Sequence, residues 1–262
     1  RRARGAIMGV WATNYAVGGV LGTALAAFML GAYGYRYSFF AGSVVVAMVW
    51  IFFFFNQRNK PEDVGLPPVV DDEEEPAPES GAAEPGEPAR KGHWTRAVIN
   101  TILIVGCFYF FLKFIRYTLW SWAPYFLQRE FGLAGDEAGY VSVAFDLCGV
   151  AGVIFAGWAS DRFFNSRRAK ISFLLLLAMF CSCLLMYTVG ATATWLFATT
   201  MGLVGFTLYG PDSLMTGAGA IDIGSAKHAT LAAGIINGMG AVGSVVQDLV
   251  VGDIYEASGG SL

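Results

Sequence analysis

Apolar positions along this chain gather into seven long runs, at about 6–30, 35–55, 97–127, 138–159, 169–189, 194–219 and 229–255. A membrane helix needs about 20 apolar residues to cross a hydrocarbon core of roughly 30 Å, and each run is that long. A transmembrane strand would instead alternate apolar and polar positions over about ten residues. No such alternation occurs, so the runs predict seven spanning helices. Between the second and third lies a polar stretch, 57–96, with Asp71-Asp-Glu-Glu-Glu75 followed by Pro, Gly and Ala up to Pro88. That composition cannot bury a core and predicts a disordered linker, with an acidic docking surface as the costlier alternative. It divides the chain into two helices (1–56), the linker (57–96) and five helices (97–262).

Composition agrees. The 262 residues are 55% hydrophobic and 15% aromatic, and the mean hydropathy is +0.53, above the range of soluble domains. The net charge of −3 says little about partners, because ten of the twenty acids lie between Pro61 and Glu87. Basic residues are more informative. With the N-terminus cytoplasmic, thirteen Lys and Arg fall on the inside, among them Arg1, Arg2, Arg4, Arg162, Arg167, Arg168 and Lys170, against Arg36 and Arg129 outside. The four cysteines lie in apolar runs and read as small packing residues, and His93 and His228 lie in loops. No triad, P-loop or metal motif occurs, so neither an enzyme nor a cofactor is expected, nor nucleic-acid binding. The opening Arg-Arg-Ala-Arg reads as the interior of a longer protein.

Two cations interrupt the third run. Lys113 and Arg116, three residues apart, share a helix face with Tyr109 and Trp120. Arg116 lies twelve residues from Gln128, about 18 Å of helix and therefore near mid-membrane. A charge there costs at least ~2.5 kcal/mol and faces a cavity, a partner or a substrate. Such a pair points to a transporter with an anion site, and the structural alternative is neutralisation by an acid on a neighbouring helix. Asp146 lies at comparable depth on the fourth run, so an ion pair with Arg116 or Lys113 is the expected arrangement there, and a carboxylate packed only with polar backbone or water is the alternative. Asp212 and Asp248 are further acids expected to be buried, with gating or packing and substrate binding both open to them. Glycines inside the runs, including Gly19, Gly149, Gly152, Gly202, Gly205, Gly240 and Gly243, predict close helix approach.

Several motifs coincide with these features. Gly157-Trp-Ala-Ser-Asp161-Arg162, followed by Arg167-Arg168, resembles the cytoplasmic G-x-x-x-D-R/K loop of the major facilitator superfamily. There Gly157 would permit tight packing, and Asp161 would sit against a helix N-terminus and the basic cluster, latching one conformation. Trp11-Ala-Thr-Asn-Tyr-Ala-Val-Gly-Gly19, Lys60-Pro-Glu-Asp-Val-Gly-Leu-Pro-Pro68, Ile115-Arg-Tyr-Thr-Leu-Trp-Ser-Trp-Ala-Pro124 and Tyr209-Gly-Pro211 are similar to segments of its organophosphate:phosphate antiporters.

The resemblance implies an all-α membrane bundle, partial here, with seven helices (five to eleven) of an expected twelve. It implies exchange of a phosphate ester for inorganic phosphate, with Arg116 on the phosphate and Lys113, Tyr15, Asp146, Tyr117, Trp120 and Tyr209 around it. The expected partners are the two phosphates and the lipid bilayer, the full-length state a monomer, and the location the plasma membrane, in bacteria the inner one. The best-known members have histidine where this chain has Tyr15, asparagine at Ala12, and, in the glycerol phosphate carrier, tyrosine at Lys113. Those departures imply a different organophosphate, one with more negative charge. Two other readings stand beside exchange: a transporter-like sugar-phosphate sensor, and another anion carrier of the superfamily.

Overall fold

Two glycines in left-handed backbone set the first helical turns. Gly34, at φ +89°, separates α1 (Arg4–Tyr33) from α2 (Tyr35–Asn56), and Gly132, at φ +67°, ends α3 (Arg96–Phe131). A side chain disfavours both angles. α4 (Gly135–Phe163) then begins with Asp136 and Glu137 in its first turn, where acids complement the helix dipole. Glu137 also reaches back to accept from the Ala134 backbone N–H at 3.2 Å. α5 (Arg168–Val189), α6 (Thr194–Ser213) and α7 (Ala229–Ala257) follow. The structure is a computed structural model describing residues 4–58, 61–67, 96–164, 168–214 and 229–258. All seven predicted runs correspond to helices, and no strand occurs among the described residues. Most of the linker, both histidines, Arg167 and the Trp11 side chain lie outside them.

Six of these helices are long and apolar enough to cross a membrane. α6 is the exception, because threonines, glycines, Pro211 and Asp212 dilute its hydropathy. Burial explains the tolerance: twelve α6 residues are buried, from Phe197 to Asp212. A helix wrapped by protein has little lipid to satisfy.

Contacts divide the chain into two units, 1–42 with 96–262, and 43–95. The smaller holds the rest of α2 and a 3-10 turn, Pro61–Val64. Its helical part is apolar all round, with Phe52, Phe53, Phe54 and Phe55 exposed, the pattern of a helix made for an apolar surround. In the larger unit α4 is the hub, packed between α1 and α6. α3 packs mainly on α7, and α5 on α6.

Small residues make these approaches close. A Cβ on Gly152 would fall on the Phe206 carbonyl, and one on Gly205 on the Phe145 carbonyl, so α4 and α6 meet backbone to backbone. Gly243 brings α7 equally close to Phe110 of α3, whereas Gly18, Gly22 and Gly238 have nothing within 4 Å. Ala156, Ala159, Ile171, Leu175 and Leu214 close the far end of α4, α5 and α6. Of the cysteines, Cys148 packs near Gly202, while Cys107 and Cys181 are exposed.

Candidate functional site

The α3 stripe of Tyr109, Lys113, Arg116 and Trp120 turns one face toward α1, α6 and α7. Arg116 is 4% exposed. Its guanidinium lies between two aromatic rings, 4.3 Å from the Tyr15 centroid of α1 and 4.0 Å from the Tyr209 centroid of α6. Its Nη1 donates to Oδ2 of Asp212. In low dielectric an unpaired guanidinium is too costly to bury, and one carboxylate with two ring faces offsets that cost.

Asp146 does not serve as the counter-ion. It is 3% exposed and accepts a hydrogen bond from the Tyr209 hydroxyl. The ion pair expected between Asp146 and Arg116 or Lys113 is therefore replaced by Arg116–Asp212. The reason is register: Tyr209 and Asp212 are three residues apart on α6 and share a face. Both reach α3 together, and the tyrosine comes between Arg116 and Asp146. Gly19 completes the arrangement, since a Cβ there would sit 2.9 Å from the Asp146 carboxyl carbon.

Lys113 is held differently. Its Nζ lies 5.6, 5.2 and 5.4 Å from the ring centroids of Tyr15, Tyr109 and Tyr117. No carboxylate forms a salt bridge with it among the described residues. α7 makes room, because a Cβ on Gly240 would collide with the Tyr109 ring and come within 3.0 Å of Lys113 Cγ. The Tyr15 and Tyr117 hydroxyls are 3.2 Å apart, and Trp120 meets Tyr117 edge-on at 5.9 Å.

Cavities flank this cluster along the helix axes. One, of about 270 Å³, is lined by Tyr117, Trp120, Asp146 and Gly19. Another, of about 360 Å³, is lined by Asn14, Lys113, Asp212 and Asn237. Tyr15, Arg116 and Tyr209 line both, so their stack forms the common wall. A third, of about 360 Å³ and bounded by Thr23, Pro124 and Ser142, continues toward the α3–α4 turn.

Sequence reasoning thus named the residues that converge and left Asp212 between gating, packing and substrate binding. Its signal was the three-residue spacing from Tyr209 beside Pro211. Asn237 carried no signal. Asp248, expected buried, is exposed: its neighbour Gln247 is buried and faces Thr118, which turns position 248 outward. The loop motif lies elsewhere. Gly157 is buried, Asp161 and Arg162 belong to the last turns of α4, and Arg168 begins α5. Asp161 therefore sits near a helix C-terminus, not in the expected loop, because α4 runs four residues past its predicted end at 159.

Several apolar helices packed through glycine, around a charged pair flanked by cavities, define a multi-pass membrane protein with a polar site inside the bundle. Residues 1–247 match the profile of the Major Facilitator Superfamily, and the chain belongs to that superfamily. It is 27% identical to Sugar phosphate exchanger 3 of Bos taurus, over 99% of this chain and 57% of that protein. It is 26% identical to the Glycerol-3-phosphate transporter of Bacillus subtilis, over 97% and 58%. With the Putative glycerol-3-phosphate transporter 1 of Arabidopsis thaliana it shares 31%, over 100% and 53%. The chain therefore spans a little over half the length of these relatives. Their names agree with the narrower resemblance to organophosphate:phosphate antiporters.

Proposed function

We propose that the chain forms part of a secondary transporter exchanging an organic phosphate ester for inorganic phosphate by alternating access. Residues 1–56 would supply the last two helices of one bundle, 57–96 a cytoplasmic linker, and 97–262 five helices of the other. The N-terminus would be cytoplasmic, in a plasma membrane, as the distribution of basic residues supports. The observation that carries the reading is Arg116: buried, flanked by cavities on two sides, and paired with Asp212.

A phosphate dianion competes well for that guanidinium. It offers three acceptor oxygens to a planar fork of donors, where Asp212 Oδ2 takes one. Phosphate of either ligand would take Arg116, with Lys113 beside it, and release Asp212. Tyr15 reaches the site from α1 and Arg116 from α3, so a ligand touching both links the two bundles. Binding then favours closure, and rocking about the site moves it between the two sides.

Arg116→Lys in the full-length protein tests this. It keeps the charge and loses the paired geometry, so phosphate exchange into phosphate-loaded proteoliposomes is expected to fall at least about tenfold, with insertion intact. Exchange near the parental rate would remove Arg116 from the site.

A further inference from the structure

Phosphate on Arg116 displaces the Asp212 carboxylate but leaves it inside the bundle. Asp212 is 6% exposed, and a buried carboxylate that loses its cation must find another or take up a proton. It would also stand close to a phosphate dianion, which repels it. Lys113 lines the same cavity of about 360 Å³ as Asp212, together with Asn14, Ser213 and Asn237, which can donate hydrogen bonds but carry no charge. Asp146 does not line that cavity, and it accepts from the Tyr209 hydroxyl. Without ligand, the Lys113 ammonium rests on the rings of Tyr15, Tyr109 and Tyr117. Ring faces stabilise a cation without cancelling its charge.

We infer that Lys113 is a positioning residue: it receives Asp212 when phosphate takes Arg116, and so sets phosphate affinity through that carboxylate and not by touching the ligand. The inference rests on the exchange reading above and adds a counter-ion relay to it. Asp212 pairs with Arg116 in the empty site and with Lys113 in the loaded one, so the carboxylate has a cation in both. Lysine suits this second post, because its ammonium is a compact point charge on a flexible four-carbon stem. Three residues of α3 rise by about 4.5 Å, a step that rotation of the lysine and aspartate side chains can bridge. α7 leaves the stem room to move at Gly240, where an added Cβ would stand 3.0 Å from Lys113 Cγ. The tyrosine rings hold the ammonium beside the cavity until the carboxylate is displaced.

The test follows labelled phosphate uptake by the full-length protein in phosphate-loaded proteoliposomes and reads the half-saturating phosphate concentration across a double-mutant cycle. With Asp212 present, Lys113→Gln should raise that concentration at least about tenfold, because the displaced carboxylate is left without a cation. Lys113→Arg should stay within about threefold of the parental value, since it keeps the charge. In Asp212→Asn there is no carboxylate to receive, so adding Lys113→Gln should change the value by less than about twofold. An ammonium that touched phosphate directly would matter at least as much without Asp212. A loss of similar size in both backgrounds would therefore overturn the inference, and so would a parental value in Lys113→Gln. Infrared difference spectra, with and without inorganic phosphate, give a second reading that leaves Asp212 in place. In Lys113→Gln, phosphate should bring up a protonated carboxyl band that the parental protein lacks, because a buried carboxylate without a cation takes up a proton. Identical spectra from the two proteins would equally overturn the relay. Absence of phosphate exchange in the parental protein would instead sink the exchange reading, a result distinguishable from all of these.

Discussion

Asp212 decides how Arg116 behaves when no ligand is present. A guanidinium 4% exposed, with its carboxylate removed, is a buried unpaired charge, and breaking such pairs costs about 3 kcal/mol or more. Asp212→Asn should therefore lower the melting temperature of the purified full-length protein. If phosphate replaces Asp212 on Arg116, phosphate should repair that defect. The thermal shift produced by saturating phosphate is then larger in Asp212→Asn than in the parental protein, since the ligand restores a missing counter-ion instead of displacing one. Equal shifts in the two proteins would show that phosphate and Asp212 do not share the guanidinium. The same pair marks the limit of sequence reasoning at this scale. Depth along a helix placed Asp146 level with Arg116, but depth does not resolve rotation. The face of α6 carrying both Tyr209 and Asp212 became the deciding fact only once that helix was packed on α3.

Helices and their order were legible because hydropathy and helix length are set by the same lipid thickness. α6 shows the complement: its threonines, Pro211 and Asp212 lower its hydropathy because protein covers it. Which glycines carry packing was only partly legible, since Gly22 and Gly238 lie inside long runs as Gly152 and Gly205 do, yet a Cβ added there would meet nothing within 4 Å. The α4–α6 contact gives a graded prediction. At Gly202 an added Cβ would meet chiefly the Cys148 Sγ at 2.9 Å, an atom on a rotatable side chain. At Gly205 it would meet the Phe145 carbonyl, which cannot move without the helix. Gly205→Ala should thus cost about 2 kcal/mol or more, and Gly202→Ala clearly less. Thermal melts of both variants check the order. Gly205→Ala should also reduce phosphate exchange, because Phe145, directly before Asp146, packs on the Tyr209 ring with centroids 5.4 Å apart. A Gly202→Ala protein as unstable as Gly205→Ala would show that α4 and α6 are not held at backbone distance.

At the scale of the molecule, exchange by alternating access requires a seam that opens, and α1 against α4 is the seam nearest the site. It is closed along its length toward the α3–α4 turn: Gly19 faces Asp146, Ala27 faces Gly139, Leu30 faces Gly135 and Gly31 faces Asp136. In the proposed orientation that end is extracellular, so this structure has its outer seam shut. A Cβ on Gly139 would lie 2.9 Å from the Ala27 Cβ, tight even for alanine. Gly139→Leu is therefore a wedge that disfavours the shut state. Ala27→Leu drives the same wedge from the other helix. The reporter is Ser142, 7% exposed, lining the cavity near the α3–α4 turn and donating to Ala138 O of its own helix at 2.8 Å. Ser142→Cys should disturb little. In intact cells, each wedge is expected to raise labelling of Ser142→Cys by a membrane-impermeant maleimide severalfold and to slow phosphate exchange, because the carrier is held with its outer seam parted. Unchanged labelling in both wedges, with normal insertion, would mean that the α1–α4 contact does not open during transport and that access alternates across some other pair of helices.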